Sequence, residues 1–165
     1  MKSRIGAVAL AATVVAAGNA FAAEVVRHKI PNSNFPIARA VEVPADKTTV
    51  YLSGAVPSVI DEKADKATVA AYGDTKAQTE SVLKSIDKTL NELGLKMGDV
   101  IKMTVFLVGD PGKGGKMDFA GFMEGYTQFF GTEAQPNLPT RSVVEVAGLA
   151  SPGFLVEIEV TAVRP

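Results

Sequence analysis

The sequence has 165 residues, of which 47% are hydrophobic and 21% charged, a composition typical of one globular domain with a buried core. It contains no cysteine and a single histidine, which excludes disulfide bonds, thiolate nucleophiles and cysteine-bound metal centres. The formal net charge of −1 provides no field for holding a polyanion, so the composition argues against general nucleic-acid binding.

The N-terminal segment has the order of parts found in a secretory signal peptide. Two basic residues precede a small or apolar run over residues 5–17, and Ala20 and Ala22 occupy the positions that signal peptidase reads. The apolar run is shorter than the roughly 20 residues that cross a bilayer, and no stop-transfer pattern follows it, which disfavours a membrane anchor. The sequence therefore predicts a signal peptide at residues 1–22, a single mature domain at residues 23–165, and a periplasmic location.

Short extended segments come first in the mature chain. Residues 25–30 and 37–43 are predicted to form two strands separated by a turn-rich segment. Residues 48–53 are rich in β-branched and aromatic residues, and they predict a third strand that pairs with the one before it. Residues 57–72 mix charged and small residues without strong periodicity, which indicates a surface loop with room for a helical turn.

The first helix is the clearest element of the sequence. Apolar residues recur there at three- and four-residue spacing: Val82, Leu83, Ile86, Leu90 and Leu93. Asp74 or Thr75 is a suitable N-cap, and Gly94 is a suitable residue for the position after the C-cap. The pattern therefore predicts a helix that ends near residue 93.

A strand and a glycine-rich loop follow this helix. Residues 99–108 carry alternating apolar residues on one face and an only partly polar second face, which is typical of a central strand. The loop at residues 109–117 then precedes a second helix, as phosphate-binding loops do. However, Asp110 stands where a Walker loop needs its first glycine, and Met117 stands where it needs Ser or Thr. The mismatch favours a mobile surface connection.

The last third of the chain predicts a helix and two strands. Residues 118–130 form the second helix, with core-facing residues at helical spacing: Phe119, Phe122, Met123, Tyr126 and Phe130. Residues 140–148 and 153–163 are predicted strands, and in the last strand alternate residues from Phe154 to Ala162 form an apolar face.

This order of elements predicts an α+β fold with both helices on one face of a sheet. The second face of that sheet still carries apolar residues beside its charges, namely Phe106, Val143 and Leu155. Such a face is too apolar to remain exposed to solvent, so we expect it to be an interface between copies of the chain.

Two charged residues in the predicted C-terminal strands are candidates for chemistry. Arg141 begins a strand that is otherwise mostly apolar, where a rigid guanidinium grips a carboxylate with two parallel hydrogen bonds. An ion pair with Glu145 is the alternative. Glu157 has apolar neighbours in the next strand along the chain, so it could share a cleft with Arg141 and orient a water or move a proton. A solvated acid beside Glu159 is the alternative there.

The other titratable groups favour ordinary surface roles. His28 lies between two basic residues near the predicted mature N-terminus, which indicates an exposed side chain and no catalytic triad. The acids Asp61, Glu62 and Asp65 lack the alternating spacing and the glycine of a calcium loop, so they are predicted to be solvated.

The segment Pro-Thr-Arg-Ser-Val-Val-Glu-Val-Ala-Gly-Leu at residues 139–149, followed by Val156-Glu157-Ile158, resembles the C-terminal signature of the RidA (YjgF-like) reactive intermediate deaminase family. Upstream stretches agree with the family in their order, at residues 51–54, 94–100 and 104–106. The resemblance covers nearly all of the predicted mature chain. It implies a chorismate-mutase-like α+β fold, a mixed β-sheet assembled as a homotrimer with three ligand clefts between subunits.

The resemblance also implies roles for particular residues. In this family the arginine that matches Arg141 binds the carboxylate of a 2-enamino or 2-imino acid. Water attacks the imine carbon, and the products are a 2-keto acid and ammonia. Glu157 matches the acid that positions water, Ser53 matches a cleft hydroxyl, and the backbone at Val143 matches a substrate contact. No metal or organic cofactor is required.

Several positions depart from the family's best-known deaminases. Ile37 replaces a cleft tyrosine, Val143 replaces a cysteine, and Met123 replaces a cleft asparagine. The loops at residues 57–72 and 109–117 are longer than compact members need. These departures keep a second function open alongside the exported imine deaminase. It is a non-catalytic periplasmic trimer that binds a small carboxylate ligand or unfolded protein.

Overall fold

The structure is a computed structural model that describes residues 24–165, so the signal peptide predicted at residues 1–22 lies outside the described residues. The elements are β1 (Val26–Lys29), β2 (Ala38–Glu42), β3 (Thr49–Ala55), α1 (Thr75–Glu92), β4 (Val100–Val108), α2 (Phe119–Tyr126), β5 (Thr140–Val146) and β6 (Val156–Val163). Short 3₁₀ turns lie at Val69–Ala71, Met97–Asp99 and Pro111–Lys113. Across residues 24–165, every helix falls short of the length and apolar character that a bilayer crossing requires.

The strands form a four-stranded mixed sheet and a separate hairpin. The sheet has the order β3-β6-β4-β5, in which β4 and β5 are parallel and the other pairs are antiparallel. The predicted pairing of β3 with β2 is wrong, because β2 pairs only with β1. Most of β2 is exposed, including Arg39 and Glu42, so it has no apolar face to bury in the main sheet. By contrast β3 packs Val50 and Leu52 against the core beside β6.

Both helices pack on one face of this sheet, as predicted. The core is built from alternate residues of β4 and β6 and from the apolar stripes of the two helices, and it includes Met103, Val105, Leu107, Ile158, Val82, Leu83, Ile86, Phe122 and Tyr126. These side chains are at most 2% exposed. Each large apolar side chain buried in this way contributes about 1.5 to 3 kcal/mol.

The ends of α1 confirm its predicted caps. The Asp74 carboxylate accepts a hydrogen bond from the Ala77 amide at 2.9 Å, and so provides the N-cap. Gly94 has φ of 73°, and the amide of Leu95 donates to the Leu90 carbonyl at 2.8 Å. This is the Schellman geometry in which a left-handed glycine ends a helix.

The other predicted helix and strands are shorter than expected. Helix α2 ends at Tyr126 and not at residue 130. Beyond Tyr126 the chain forms tighter turns, in which for example the Phe129 amide donates a hydrogen bond to the Tyr126 carbonyl. Phe130 is nevertheless buried, whereas Phe119 is 37% exposed and does not face the core. Strand β5 ends at Val146, and β6 begins at Val156.

Two residues predicted for the second face of the sheet lie on the helix side. Val143 pairs with Val105, which faces the helices, because β5 aligns in parallel with β4 in that register. Leu155 precedes β6 and is buried, and its amide donates to Oε1 of Gln78 at 2.7 Å. Phe106 lies on the second face as expected, since it pairs with Glu157 on the side opposite the core.

The two long loops contain local order. The loop at residues 57–72 includes the 3₁₀ turn Val69–Ala71, and Asp61, Glu62 and Asp65 are exposed as predicted. In the loop at residues 109–117, Asp110 is 5% exposed, and its carboxylate accepts a hydrogen bond from the Gly112 amide at 2.7 Å.

Candidate active site

Arg141 lies at the start of the edge strand β5, and its side chain points toward the helices. Its register partner in β4 is Met103, which faces the core. The guanidinium carbon lies 4.2 Å from the centre of the Tyr126 ring, 5.0 Å from that of Phe122 and 5.5 Å from that of Phe35. Three aromatic faces therefore surround one cation, an arrangement that favours a guanidinium over an ammonium.

The hydrogen bonding of this guanidinium is incomplete. Its Nη2 lies 3.2 Å from the sulfur of Met123, which is a weak acceptor. Its Nη1 is buried and has no partner, and within residues 24–165 Arg141 forms no ion pair with Glu145. A buried donor on a charged group is costly to leave unpaired, so the arrangement suits an anionic ligand that supplies the missing acceptor.

Burial changes the acid–base properties of the pair formed by Arg141 and Tyr126. Desolvation lowers the pKa of Arg141, and the adjacent Tyr126 opposes this shift. Desolvation likewise raises the pKa of Tyr126 to about 12, with Arg141 acting in the opposite direction. The phenol therefore keeps its proton at neutral pH and donates to the Pro36 carbonyl at 2.8 Å. This bond ties helix α2 to the turn that holds Phe35 over the guanidinium.

Glu157 and Ser53 lie on the opposite face of the sheet, away from the helices. Glu157 pairs with the outward-facing Phe106, and Ser53 is exposed in the irregular stretch of β3 between Leu52 and Ala55, next to Gly54. A Cβ atom placed on Gly54 would collide with Oε1 of Glu157, so the carboxylate lies directly across this glycine. The structure therefore brings Ser53 and Glu157 to one surface.

The structure does not bring Arg141 and Glu157 together within one chain. The expectation of a shared cleft used their proximity in sequence, but β4 lies between β5 and β6. Arg141 pairs with a core-facing residue of β4, whereas Glu157 pairs with an outward-facing one. Since successive residues of a strand point to opposite faces, this register separates the two side chains.

A cavity of about 560 Å³ opens at the start of β5, where β2 runs beside it. The residues around it include Arg39, Lys102, Thr140, Arg141 and Ser142. Because successive residues of a strand point to opposite faces, Lys102, Thr140 and Ser142 face away from the helices, whereas Arg141 faces them. One wall of the cavity is apolar and is formed by Ile30, Pro31 and Ile37. The lining is completed by Ala38 and Met103. The cavity is suited to a small anionic molecule with a short carbon chain.

The remaining predicted candidates have simpler surroundings. Val143 is half-buried against the core, two residues after Arg141 on the same side of the strand. His28 is exposed as predicted, with Nε2 at 2.6 Å from Oε1 of Glu42. Among residues 24–165, His, Asp and Glu side chains nowhere gather in groups of three or more that would hold a metal ion.

Sequence reasoning missed several residues around the two surfaces. Phe35 covers Arg141 from an irregular turn, and an aromatic residue next to proline in such a turn was the available signal. The missing side chain of Gly54 leaves space for the Glu157 carboxylate. A glycine inside a strand often marks a place where another group approaches the backbone closely, and this was the available signal. Two of the departures from the family pattern also lie here, since Met123 contacts Arg141 and Ile37 lines the cavity.

Comparison of the sequence with known proteins finds similar proteins over most of its length. A family model described as endoribonuclease L-PSP matches residues 28–164. The chain is 38% identical over 115 residues to the 2-iminobutanoate/2-iminopropanoate deaminase of Salmonella typhimurium, covering 70% of this chain and 79% of the relative. It is 35% identical over 136 residues to a RutC family protein of Haemophilus influenzae, covering 82% of this chain and 92% of the relative.

Solved structures share the fold. The YjgF gene product of Escherichia coli aligns with a TM-score of 0.55 at 32% identity, covering 82% of this chain and 93% of the other. YyfB of Yersinia pestis, a Rid family protein, aligns with a TM-score of 0.61 at 23% identity, covering 84% of this chain and 96% of the other. Two helices packed on a mixed β-sheet are thus common to this chain and its structural neighbours.

Proposed function

Because the chain belongs to the endoribonuclease L-PSP family, which includes the YjgF, RidA and RutC proteins, we propose that it hydrolyses reactive 2-imino and 2-enamino acids to 2-keto acids and ammonia. The observation that carries this proposal is the buried, unpartnered Nη1 of Arg141. A substrate carboxylate supplies the acceptor that this donor lacks. The similarity to a protein named as an imine deaminase supports the same reaction.

The reaction requires positioning more than a strong nucleophile. An enamino acid first becomes the imine when its β-carbon takes up a proton and its nitrogen gives one up. Water then adds to the imine carbon: a C–O bond forms, the water loses a proton, and the C=N π electrons take up a proton at nitrogen. In the resulting carbinolamine a proton passes from the hydroxyl oxygen to the nitrogen, the C–N bond breaks to release ammonia, and the C=O bond forms. Glu157 takes the proton from water and returns it to nitrogen, which is general acid–base catalysis on a substrate held by Arg141.

This mechanism needs Arg141 and Glu157 in one cleft, and one chain holds them on opposite faces of its sheet. We therefore propose a homotrimer in which each cleft combines Arg141 of one copy with Glu157 and Ser53 of its neighbour. The outer face of the sheet is suited to assembly, because Tyr51 and Val144 are 79% and 42% exposed on it. We also propose that residues 1–22 direct export to the periplasm, which predicts that the shortened protein is recovered from that compartment after fractionation.

Turnover of 2-iminopropionate tests the reaction. The imine is generated in situ from alanine by an amino-acid oxidase, and release of pyruvate and ammonia is followed. Wild-type protein from Ala23 onward is expected to accelerate release, and Arg141→Ala is expected to abolish the acceleration. Arg164→Ala is the matched control, since among residues 24–165 the Arg164 side chain donates a single hydrogen bond, to the exposed Leu93 carbonyl. Loss of activity in the control as well would refute a specific role for Arg141.

Mixed assemblies test the shared cleft. Arg141→Ala and Glu157→Ala subunits are inactive alone, but in every mixed trimer one cleft combines the intact arginine of one copy with the intact glutamate of another. Random reassembly in equal amounts is expected to restore about a quarter of wild-type activity. If the two residues acted within one chain, mixing would restore nothing.

The turnover assay also distinguishes the deaminase from the alternative function, a non-catalytic protein that binds a small carboxylate. If wild type binds pyruvate through Arg141 but accelerates release from no imine tested, the chain is a ligand-binding member of its family and not a deaminase.

A further inference from the structure

The aromatic ring of Phe35 lies on the solvent side of the Arg141 guanidinium. Of the three rings around that cation, those of Phe122 and Tyr126 are fully buried, whereas Phe35 is 42% exposed. Nη1 of Arg141 is itself buried, so a carboxylate reaches this donor only after a neighbouring group moves. Resting on the proposed role of Arg141 in substrate binding, we infer that Phe35 is a gate. Its ring covers the guanidinium in the free protein and moves aside when a carboxylate binds.

The helix side of the guanidinium is closed by core packing. The rings of Phe122 and Tyr126 lie 5.7 Å apart, and Tyr126 stacks on Phe130 at 5.0 Å. Moving either of the first two rings would open a void in a close-packed core, which is costly. The sulfur of Met123 lies against the other terminal nitrogen, Nη2. Displacement of the exposed ring of Phe35 leaves no such void, so this ring is the one that a ligand displaces.

The turn that carries Phe35 is held at one end and exposed at its tip. The Tyr126 hydroxyl donates to the Pro36 carbonyl at 2.8 Å, and the Ala38 amide donates to the Pro139 carbonyl at 2.9 Å. Residues 31–35 are all exposed, and the Phe35 amide donates to the hydroxyl oxygen of Ser33 in the same turn at 3.1 Å. These contacts anchor the chain just after Phe35 and leave its side chain free to swing.

Two interactions compete for the same cation. An aromatic face attracts a guanidinium modestly at separations up to about 6 Å, and the Phe35 ring centre lies 5.5 Å from the guanidinium carbon of Arg141. A carboxylate that accepts two parallel hydrogen bonds binds a guanidinium more strongly than a ring does. The ring therefore covers the guanidinium until a carboxylate displaces it. The closed state lowers the apparent affinity for carboxylates, because only the open fraction of molecules binds them.

Binding of 2-oxobutyrate, the product expected from 2-iminobutyrate, tests the gate without requiring turnover. Phe35→Ala removes the ring, and we expect it to bind 2-oxobutyrate about two- to fivefold more tightly than wild type in calorimetric titrations, the factor that corresponds to one exposed cation–π contact. Ile60→Ala is the control, since Ile60 is another exposed apolar side chain in a surface loop, and it is expected to keep the wild-type affinity. Unchanged or weaker binding by Phe35→Ala would overturn the gate.

A fluorescent variant reports the movement itself. The sequence contains no tryptophan, so Phe35→Trp introduces a single indole, whose face also attracts cations. Saturation with 2-oxobutyrate is expected to shift its emission to longer wavelength and to increase quenching by acrylamide, because the indole leaves the cation and enters water. A ring that stayed in place beside a bound ligand would be quenched no more than before, and this result would contradict the gate.

The outcomes separate the gate from the proposed reaction. If Phe35→Ala binds more tightly and the indole is displaced while no imine is hydrolysed, the gate stands and the deaminase falls. If wild type hydrolyses imines but the indole stays covered and Phe35→Ala keeps the wild-type affinity, the deaminase stands and the gate is wrong. If neither wild type nor Phe35→Ala binds 2-oxobutyrate, the gate and the carboxylate-binding role of Arg141 are both refuted.

Discussion

At the scale of single residues, the site depends on how a few side chains are surrounded. Arg141 is enclosed by aromatic rings and a methionine sulfur, and one of its nitrogens has no acceptor. Tyr126 is fully buried beneath it, and its hydroxyl group fixes the position of the Pro36 carbonyl. On the other face of the sheet, the absence of a side chain at Gly54 leaves room for the Glu157 carboxylate.

Tyr126→Phe tests the buried phenol through the pH dependence of stability. The folded-state pKa of about 12 lies above the ordinary value of 10, so the folded state favours the protonated phenol. That contribution is complete below pH 10 and is lost as the pH rises toward 12, by about 2 to 3 kcal/mol. At pH 7 the variant loses about 1 kcal/mol with the hydrogen bond to Pro36. Urea unfolding from pH 8 to 12 is expected to show a smaller alkaline decline in Tyr126→Phe, and parallel curves would contradict this explanation.

Gly54→Ala tests the position of Glu157. The new methyl group would occupy the space of the Glu157 carboxylate and displace it, while the backbone of β3 is left in place. A displacement of this size is expected to lower kcat for imine hydrolysis by about tenfold to a hundredfold. Gly148→Ala is the matched control, because a Cβ there meets no atom within 4 Å. Equal activity of the two variants would show that Glu157 has no positional role.

At the scale of secondary-structure elements, side-chain bonds to backbone carbonyls attach the N-terminal hairpin to the sheet. The Arg27 guanidinium of β1 donates to the carbonyls of Val100, Leu138 and Gly98 at 2.8 to 3.0 Å. Desolvation lowers the pKa of Arg27, and the nearby Asp99 opposes this shift. Strand β2 is the second strand of this hairpin, and its Arg39 lines the cavity. The attachment of β1 therefore also positions part of the candidate site.

Arg27→Met is expected to destabilise the fold by about 2 to 4 kcal/mol, because three partly buried carbonyl groups lose a charged donor. Arg164→Met is the control, and it removes a single bond to an exposed carbonyl, with an expected cost below about 1 kcal/mol. Chemical denaturation of the two variants measures the difference. Equal midpoints would show that Arg27 does not stabilise the hairpin.

At the scale of the whole molecule, both helices of the described chain cover the same face of the four-stranded sheet. The other face carries Glu157 and Glu159 beside Phe106, and it exposes Tyr51 and Val144. A face of this mixed character suits contact with other copies of the chain. In the proposed trimer the same contact completes the catalytic site.

Val144→Asp tests this assembly. A carboxylate buried in a subunit interface without a partner is costly, so we expect the variant to sediment as a monomer and to lose imine hydrolysis while its circular dichroism remains native. Ser85→Asp, on the exposed side of α1, is the control and is expected to change neither property. A variant Val144→Asp with wild-type sedimentation and activity would refute an interface at this face.

The sequence alone was sufficient to predict most of the helices and strands, and to predict that both helices pack on one face of the sheet. Helical and alternating periodicity, the Asp74 cap and the Gly94 stop are local signals, and the structure confirms them. Arg141 was also a candidate for chemistry from its strand and from the family signature, and its role stays a prediction. Local sequence patterns do not specify the order of the strands in the sheet or their register, and the tertiary structure decided both. It placed β4 between β5 and β6, so that Arg141 and Glu157 point to opposite faces, and it brought residues of β2, β4 and β5 to the edge of one cavity. These relations come from hydrogen bonding between segments distant in the chain, and local sequence patterns do not specify such pairing.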